Sequence, residues 1–344
     1  MNIYFLTDSC GVDVSPDNRI EENRRAFINF NITCNRYKVC HKDRGMDFRS
    51  FFTKWIDHNR LPFSTLAILY SKCSRIRKGK VAMWIWEAEN QPKAVVVIVH
   101  NVFEHHRRYA WVIEYLRQND LHVVMGDLPS HGESAEKKGL HNESIREYDH
   151  YLERAITYAS QFNLPIFLYG HGFGATLILH YMRKERESIA GVLLTSPWIE
   201  LFESPSKWAS RIAKLTINQR LKFPIDPQLY VEDPQLQKEY EEDPLIHTTV
   251  TTDWYEALVE RMKSVSQTKN EWTIPLWLQV ASDDRIINVA AVRNWMSHQK
   301  MQTIHYSEWS HIQHDMHQHA DREFIAKSAI DFIHLTVLRL GYVI

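Results

Sequence analysis

The sequence Leu164-Pro-Ile-Phe-Leu-Tyr-Gly170-His171-Gly172-Phe173-Gly174-Ala175 sets the architecture of the whole chain. An apolar run of strand length leads into three glycines within five residues, and a stretch with helical composition follows. This order predicts a buried strand, a tight turn and a helix. Two kinds of chemistry use that local geometry, and they imply different functions.

The first kind is phosphate binding. The spacing Gly170-x-Gly172-x-x-Ala175 satisfies the glycine pattern of dinucleotide-binding turns. That turn normally opens the first strand–helix–strand unit, and a carboxylate after the next strand binds the ribose. Here at least two candidate strands precede the turn, and the next strand ends in Thr195-Ser196-Pro197 without a carboxylate. Dinucleotide binding therefore remains a minor alternative.

The second kind is the nucleophile elbow, G-x-S-x-G, in which a strained strand-to-helix turn presents a serine above the sheet. Gly170-His171-Gly172-Phe173-Gly174 matches this pattern except at the serine, because Gly172 stands at the nucleophile position. Glycine accepts the strained backbone without a steric penalty. We therefore expect a stable turn that has lost covalent catalysis, with His171 packed as a structural histidine.

The acid and the base expected of such a site follow in the right order along the chain. Asp284 comes just after the predicted strand 275–281, and His311 lies in the loop after the predicted strand 303–306. We predict that Asp284 orients His311 and that His311 is the general base. A second hypothesis is that this pair activates water directly, without an acyl-enzyme.

The rest of the chain from Met83 alternates apolar strands with amphipathic helices, which predicts an α/β fold with a mostly parallel central sheet flanked by helices. Residues 197–272 break the alternation and read as a helical cap inserted above the carboxyl ends of the strands. Predicted strands are 83–88, 94–100, 121–126, 165–170, 191–196, 275–281 and 303–306, and predicted helices are 106–118, 144–161, 174–183, 289–298 and 322–338.

From Met83 onward the chain resembles the monoacylglycerol lipase and lysophospholipase branch of the α/β-hydrolases, a group of serine ester hydrolases. The resemblance rests on the segments 100–109, 125–134, 170–174, 284–287 and 309–311. It implies an α/β-hydrolase fold, esterase chemistry on lipid-like or small acyl esters, no cofactor, and a cap over an acyl chain. It also implies that the backbone N–H groups of Val102 and Phe173 are the oxyanion donors.

The departures from the family lie where its chemistry occurs. The family has H-G-x-G-E-H after its second core strand, whereas this chain has Asn101 and Phe103 in place of the two glycines. Together with Gly172, these changes predict a weak or inactive esterase that binds a lipid-like acyl ligand, and whether it is still an enzyme stays open. We expect the cap to contact a membrane surface peripherally, and the sequence identifies no protein partner.

Residues 1–82 differ in composition from the remainder. They hold all four cysteines, and their 15 Lys and Arg against 8 Asp and Glu contrast with 26 against 34 in residues 83–344. We interpret 1–82 as an N-terminal extension and 83–344 as the hydrolase domain. We also hypothesise that Met83 is the true translation start and that 1–82 is a translated upstream region. The overall net charge of −1 argues against nucleic-acid binding. Without a signal peptide pattern or a bilayer-length apolar run, a cytoplasmic location is expected.

Histidines are concentrated near the C-terminus, where Asp315 accompanies His311, His314, His317 and His319. Zinc sites need three or four ligands that converge with defined geometry. Surface histidines beside the predicted catalytic histidine explain the run more simply, so we expect no metal.

Overall fold

The computed structural model describes residues 73–78, 81–135, 139–184, 188–203 and 220–342. Its centre is an eight-stranded sheet with the order β1-β2-β4-β3-β5-β6-β9-β10. The pairs β1–β2 and β2–β4 are antiparallel, and all the other pairs are parallel. The strands are β1 (Cys73–Lys78), β2 (Val81–Trp86), β3 (Ala94–Val99), β4 (Leu121–Gly126), β5 (Ile166–His171), β6 (Ile189–Thr195), β9 (Leu276–Ala281) and β10 (Ile304–Trp309).

Helices cover both faces of this sheet, as parallel strands require. They are α1 (Ala110–Gln118), α2 (Ile145–Ala159), α3 (Phe173–Tyr181), α4 (Pro234–Glu242), α5 (Thr252–Ser266), α6 (Val289–Ser297) and α7 (Arg322–Arg339). Apolar side chains of α2, α3, α5 and α6 form one core with one sheet face, and those of α1 and α7 form a second core on the other. The predicted α/β-hydrolase fold class is confirmed by this arrangement.

The sheet begins earlier in the chain than the sequence predicted. Strand β2 spans the proposed boundary between residues 82 and 83, and β1 precedes that boundary in the same sheet. Residues 1–72, most of the proposed extension, lie outside the described residues. The question of the translation start therefore stays a prediction, whereas the sheet itself continues across position 83.

The segment between β6 and β9 is where the sequence predicts a cap. Its described part contains α4, α5 and a two-stranded antiparallel sheet of β7 (Arg220–Lys222) and β8 (Thr249–Thr251). The predicted helical segment 205–215 falls outside the described residues. Helix α5 is fixed to α2 by the Arg261–Asp149 ion pair, with N–O distances of 2.6 and 2.9 Å, and by a 2.8 Å bond from Trp254 Nε1 to Tyr148 Oη.

Close packing of α3 against the sheet positions the glycine-rich turn. A Cβ built on Gly174 would lie 2.5 Å from the carbonyl oxygen of His100 and closer still to that of Val99. Only glycine allows the first turn of α3 to approach the end of β3 so closely. In the part of the chain that the structure describes, no helix is both long and apolar enough to cross a bilayer.

Candidate functional site

The turn between β5 and α3 has the strained geometry that the sequence predicted. Gly172 has φ of 54° and ψ of −119°, a conformation that side chains rarely adopt. Its N–H donates to the carbonyl of Thr195 at 2.9 Å, and its own carbonyl accepts the N–H of Trp198 at 3.2 Å. The turn is therefore tied to the end of β6 and held at the carboxyl edge of the sheet.

The loop after β3 lies beside this turn and is also held rigidly. His100 donates from Nδ1 to the Asn101 carbonyl at 2.6 Å and accepts the Leu128 N–H on Nε2 at 2.9 Å. Burial lowers the pKa of His100 to about 4, so the ring stays neutral and both bonds persist at neutral pH. Phe103, at a glycine position of the family pattern, keeps a left-handed φ of 61°.

The two predicted oxyanion donors converge on one oxygen, and that oxygen belongs to the protein. Asn101 Oδ1 accepts the N–H of Val102 at 2.9 Å and the N–H of Phe173 at 2.8 Å. Paired backbone donors aimed at one point are the arrangement that stabilises a developing oxyanion in acyl transfer. Here they bind a neutral carboxamide oxygen instead.

The other end of the Asn101 carboxamide reaches the histidine of the site. Its Nδ2 lies 3.1 Å from Nε2 of His314, and Trp198 Nε1 lies 3.5 Å from the same nitrogen. This orientation of the amide is the one that satisfies every partner, because the reverse would point an NH2 group at two N–H donors. The lone pair of His314 Nε2 is thus engaged by Asn101.

Asp284 orients His314 from the opposite side. His314 Nδ1 donates to Asp284 Oδ2 at 2.8 Å, and Asp284 Oδ1 accepts the N–H groups of Ile286 and Ile287 at 2.9 and 3.0 Å. Burial disfavours a charged imidazole, but the Asp284 carboxylate outweighs it and raises the pKa of His314 above its ordinary value. Asp284 and His314 form a buried, oriented acid–base pair.

The prediction that His311 pairs with Asp284 is wrong. The His311 side chain is 93% exposed, and its Nδ1 lies 3.9 Å from Asp283 rather than at Asp284. Strand β10 continues to Trp309 instead of ending at Tyr306, so His311 falls in the turn that leaves the strand, with φ of 59°. The chain re-enters the interior at Ile312, and His314, three residues after His311, takes the place assigned to His311.

A side chain at position 172 would overlap the carboxamide of Asn101. A Cβ built on Gly172 would lie 2.7 Å from Asn101 Nδ2 and closer still to Cγ and Oδ1. The Asn101 carboxamide therefore occupies the volume that any side chain at position 172 would need. The sequence shows Asn101 where the family pattern has glycine. Nothing in that pattern indicates that the Asn101 side chain fills the space beside Gly172.

The geometry also bears on the dinucleotide alternative. The unit β3–α1–β4 precedes the glycine turn, so β5 is not the first strand of the sheet. The first N–H of α3, which would bind a phosphate at a helix N-terminus, is already taken by Asn101 Oδ1. Both observations argue against a phosphate in this turn.

Aromatic side chains from the core and the cap meet next to the loop that carries Asn101. Phe103 packs against Phe223 with ring centroids 4.9 Å apart, and against His141 and Trp254 at 5.3 and 6.0 Å. Phe202, near the start of the cap, is 62% exposed. The rings around Phe103 thus form an aromatic surface beside the loop that carries Asn101.

Comparisons with known proteins identify relatives of this chain. The family model described as serine aminopeptidase, S33, matches residues 90–321. Phospholipase YtpA of Bacillus subtilis is 29% identical over 256 residues, which cover 73% of this chain and 98% of that protein. Monoacylglycerol lipase of Mycolicibacterium smegmatis is 22% identical over 255 residues, covering 72% of this chain and 91% of that enzyme.

Solved structures give the same architecture. The monoacylglycerol lipase of Paleococcus ferrophilus superposes with a TM-score of 0.64 at 23% identity, covering 74% of this chain and 98% of that one. A soluble variant of monoglyceride lipase from Saccharomyces cerevisiae, in complex with a substrate analogue, gives 0.67 at 14% identity, covering 76% and 94%. At such identities the likeness concerns the fold.

Proposed function

Because the chain belongs to the serine aminopeptidase S33 family of α/β-hydrolases, we propose that it is a lipase- or lysophospholipase-type member with glycine at the nucleophile position. It binds a lipid-like acyl ligand and hydrolyses esters poorly or not at all. The serine route fails for a chemical reason, since loss of a serine nucleophile typically costs about 10⁶ in kcat.

The observation that carries the proposal is the position of the Asn101 carboxamide. It holds both backbone donors through Oδ1 and the His314 lone pair through Nδ2. A substrate carbonyl needs those two donors, and an attacking water needs that lone pair. While Asn101 stays in place, neither acyl transfer nor water activation has its groups available.

Direct water activation is the second candidate, now with His314 in place of His311. The short Asp284–His314 contact favours it, because an oriented, buried pair is what a general base requires. It operates only if Asn101 moves away from His314 Nε2. The first candidate is therefore favoured for the structure as it stands.

The relatives and the aromatic residues around Phe103 support the proposed ligand class. The relatives include enzymes named phospholipase and monoacylglycerol lipase, and the aromatic cluster around Phe103 supplies an apolar surface. We include in the proposal a cytoplasmic location and a peripheral contact of the cap with a membrane surface, for which exposed Phe202 is suited.

The test measures binding and turnover on the same protein. The full chain is mixed with a fluorescent lysophosphatidylcholine, and bound probe and released fatty acid are followed separately, together with labelling by a serine-directed phosphonate. We expect saturable binding, no labelling, and release close to the buffer rate. Phosphonate-sensitive release by the wild-type chain would contradict the missing nucleophile, and absence of saturable binding would contradict the ligand class.

A further inference from the structure

A second buried cluster, distinct from the Asp284–His314 pair, consists of His171, Asp315 and His317. One ring nitrogen or carboxylate oxygen from each lies within 4.8 Å of the others. The three residues are buried, with exposed fractions of 1%, 4% and 4%. They come from two places that the fold brings together, the end of β5 and the loop before α7.

The hydrogen bonds around His171 fix which nitrogen is free. The Thr195 hydroxyl donates its single proton to the Gly170 carbonyl at 3.2 Å, so it must accept from His171 Nδ1 at 3.0 Å. Nδ1 therefore carries the proton and Nε2 carries a lone pair. That lone pair is buried and has no hydrogen-bond partner among the described residues, which is costly for a polar atom.

In His317 and Asp315, too, one polar atom contacts a residue outside the cluster and another faces the cluster. His317 contacts Tyr169 Oη through Nε2 at 3.0 Å, and its Nδ1 is buried without a hydrogen bond in the described part of the chain. Asp315 receives Arg108 on Oδ2 at 3.0 Å, and its Oδ1 lies 3.8 Å from His317 Nδ1. Each residue thus has an outer partner and turns another atom toward its neighbours.

Outer hydrogen bonds that fix the tautomer and orientation of each ligand are characteristic of metal centres. We propose that His171 Nε2, His317 Nδ1 and Asp315 Oδ1 bind a divalent transition metal ion, a two-histidine, one-carboxylate set that suits Zn²⁺, Fe²⁺ or Mn²⁺. The ligand atoms of a tetrahedral site with metal–ligand bonds of about 2.0–2.2 Å lie about 3.4 Å apart. The three atoms, now up to 4.8 Å apart, therefore have to draw together on binding.

This inference departs from the expectation of no metal drawn from the sequence. The sequence pattern predicts that the histidines near the C-terminus lie on the surface. His317 is buried instead, and His171, its neighbour in the cluster, lies 146 positions earlier in the sequence. The inference is independent of the proposed function, because none of the three residues is a member of the Asp284–His314 pair. Since the cluster is buried, the ion would be captured during folding.

The test is metal content and spectroscopy on the full chain, purified without a histidine tag from cells grown with added zinc, iron and manganese. Mass spectrometry of the bound metal should give about one equivalent per chain. Refolding with Co²⁺ should give visible ligand-field absorption, and His317→Gln should remove both signals. His311→Gln is the matched control, because that side chain is exposed, and it should retain them.

A second variant separates ligation from folding. Tyr169→Phe removes only the outer hydroxyl next to His317, and loss of an outer partner weakens metal binding by roughly 10- to 100-fold. We therefore expect Tyr169→Phe to bind Co²⁺ roughly 10- to 100-fold more weakly than the wild type. A wild-type chain that purifies and refolds with no bound metal would overturn the proposal. If His317→Gln fails to fold, the proposal would be overturned by equal Co²⁺ affinities of the wild type and Tyr169→Phe.

Discussion

The carboxamide of Asn101 lies in the space next to the Cα of Gly172 that a side chain there would require. A built Cβ would be 2.7 Å from Asn101 Nδ2 and nearer to Cγ and Oδ1. The two positions are complementary, since one has no side chain and the other supplies a carboxamide that fills the space. They have to be changed together to test the chemistry of the site.

The first prediction concerns restoration of the serine. Gly172→Ser alone should give no ester hydrolysis and a destabilised fold, because the new side chain collides with Asn101 and adds about 1–3 kcal/mol of backbone strain. Gly172→Ser with Asn101→Gly should acquire hydrolysis of short acyl esters and labelling by a phosphonate. Because a nucleophile contributes about 10⁶ in a working triad, a gain of at least about 10²-fold is expected.

The control for that experiment is Gly172→Ala with Asn101→Gly. It has a side chain of nearly the same size at position 172 but no hydroxyl. Equal activity in the serine and alanine double variants would mean that the new hydroxyl does not act as a nucleophile, and the assignment of position 172 would fail.

The second prediction concerns the base. Asn101→Gly alone frees His314 Nε2 and the two backbone donors, so slow ester hydrolysis through an activated water should rise above the wild-type rate. Adding His314→Gln should abolish the gain. Adding His311→Gln instead should leave it unchanged, because His311 is exposed and turned toward Asp283. Loss of activity with the His311 change alone would contradict the assignment of His314.

The third prediction is a loss of stability in mild acid. Burial lowers the pKa of both His100 and His141 from 6.5 to about 4. Between those two values the unfolded chain binds protons that the folded chain excludes. The contribution of these two histidines to the free energy of unfolding is therefore present above pH 6.5 and is lost as the pH drops toward 4, by up to about 1.4 kcal/mol per pH unit for each histidine.

Urea unfolding between pH 4 and pH 7 measures this effect. His141→Gln keeps a side-chain donor for the His247 carbonyl, which His141 Nε2 contacts at 2.7 Å, and removes one titrating group. Its unfolding free energy should depend less steeply on pH than that of the wild type. His311→Gln is the exposed control and should leave the slope unchanged; equal slopes in all three proteins would refute the explanation.

The fourth prediction tests the close approach of α3 to β3. Gly174→Ala places a Cβ 2.5 Å from the His100 carbonyl oxygen and nearer to that of Val99, and neither backbone group can move without disturbing the central sheet. We expect a loss of about 2 kcal/mol or more in the free energy of unfolding. Gly139→Ala is the comparison for a position where a Cβ meets no atom of the described residues within 4 Å, and its φ of 84° adds backbone strain of its own. A Gly174→Ala protein as stable as the wild type would contradict the close approach.

The central strands could be predicted because each is a continuous apolar run. The strand predicted at 121–126 coincides with β4, and β9 differs from its prediction by one residue. Edge strands carry no such signal. Strand β1, Cys-Ser-Arg-Ile-Arg-Lys, is mostly polar and lacks the pattern of a strand. Strand β10 mixes partly buried with exposed residues and extends three residues beyond its predicted end.

That early end explains the error in the site. A loop thought to start after Tyr306 made His311 the natural partner for Asp284, whereas the true end at Trp309 leaves His311 on the surface. The contact between Asn101 and His314 joins residues 213 positions apart. Local sequence patterns describe neighbours along the chain, and they carry no information about which side chain fills a space between distant loops.

The fit between Asn101 and Gly172 has an evolutionary consequence. One substitution would not give this chain the proposed serine chemistry, because a serine at position 172 would collide with the Asn101 amide and glycine at position 101 alone supplies no nucleophile. Each single variant either loses stability or gains little activity, so neither single step is expected to be favoured by selection. Under the proposed function, we therefore expect proteins that share this pair to differ in the ligands they bind rather than to gain serine hydrolase activity.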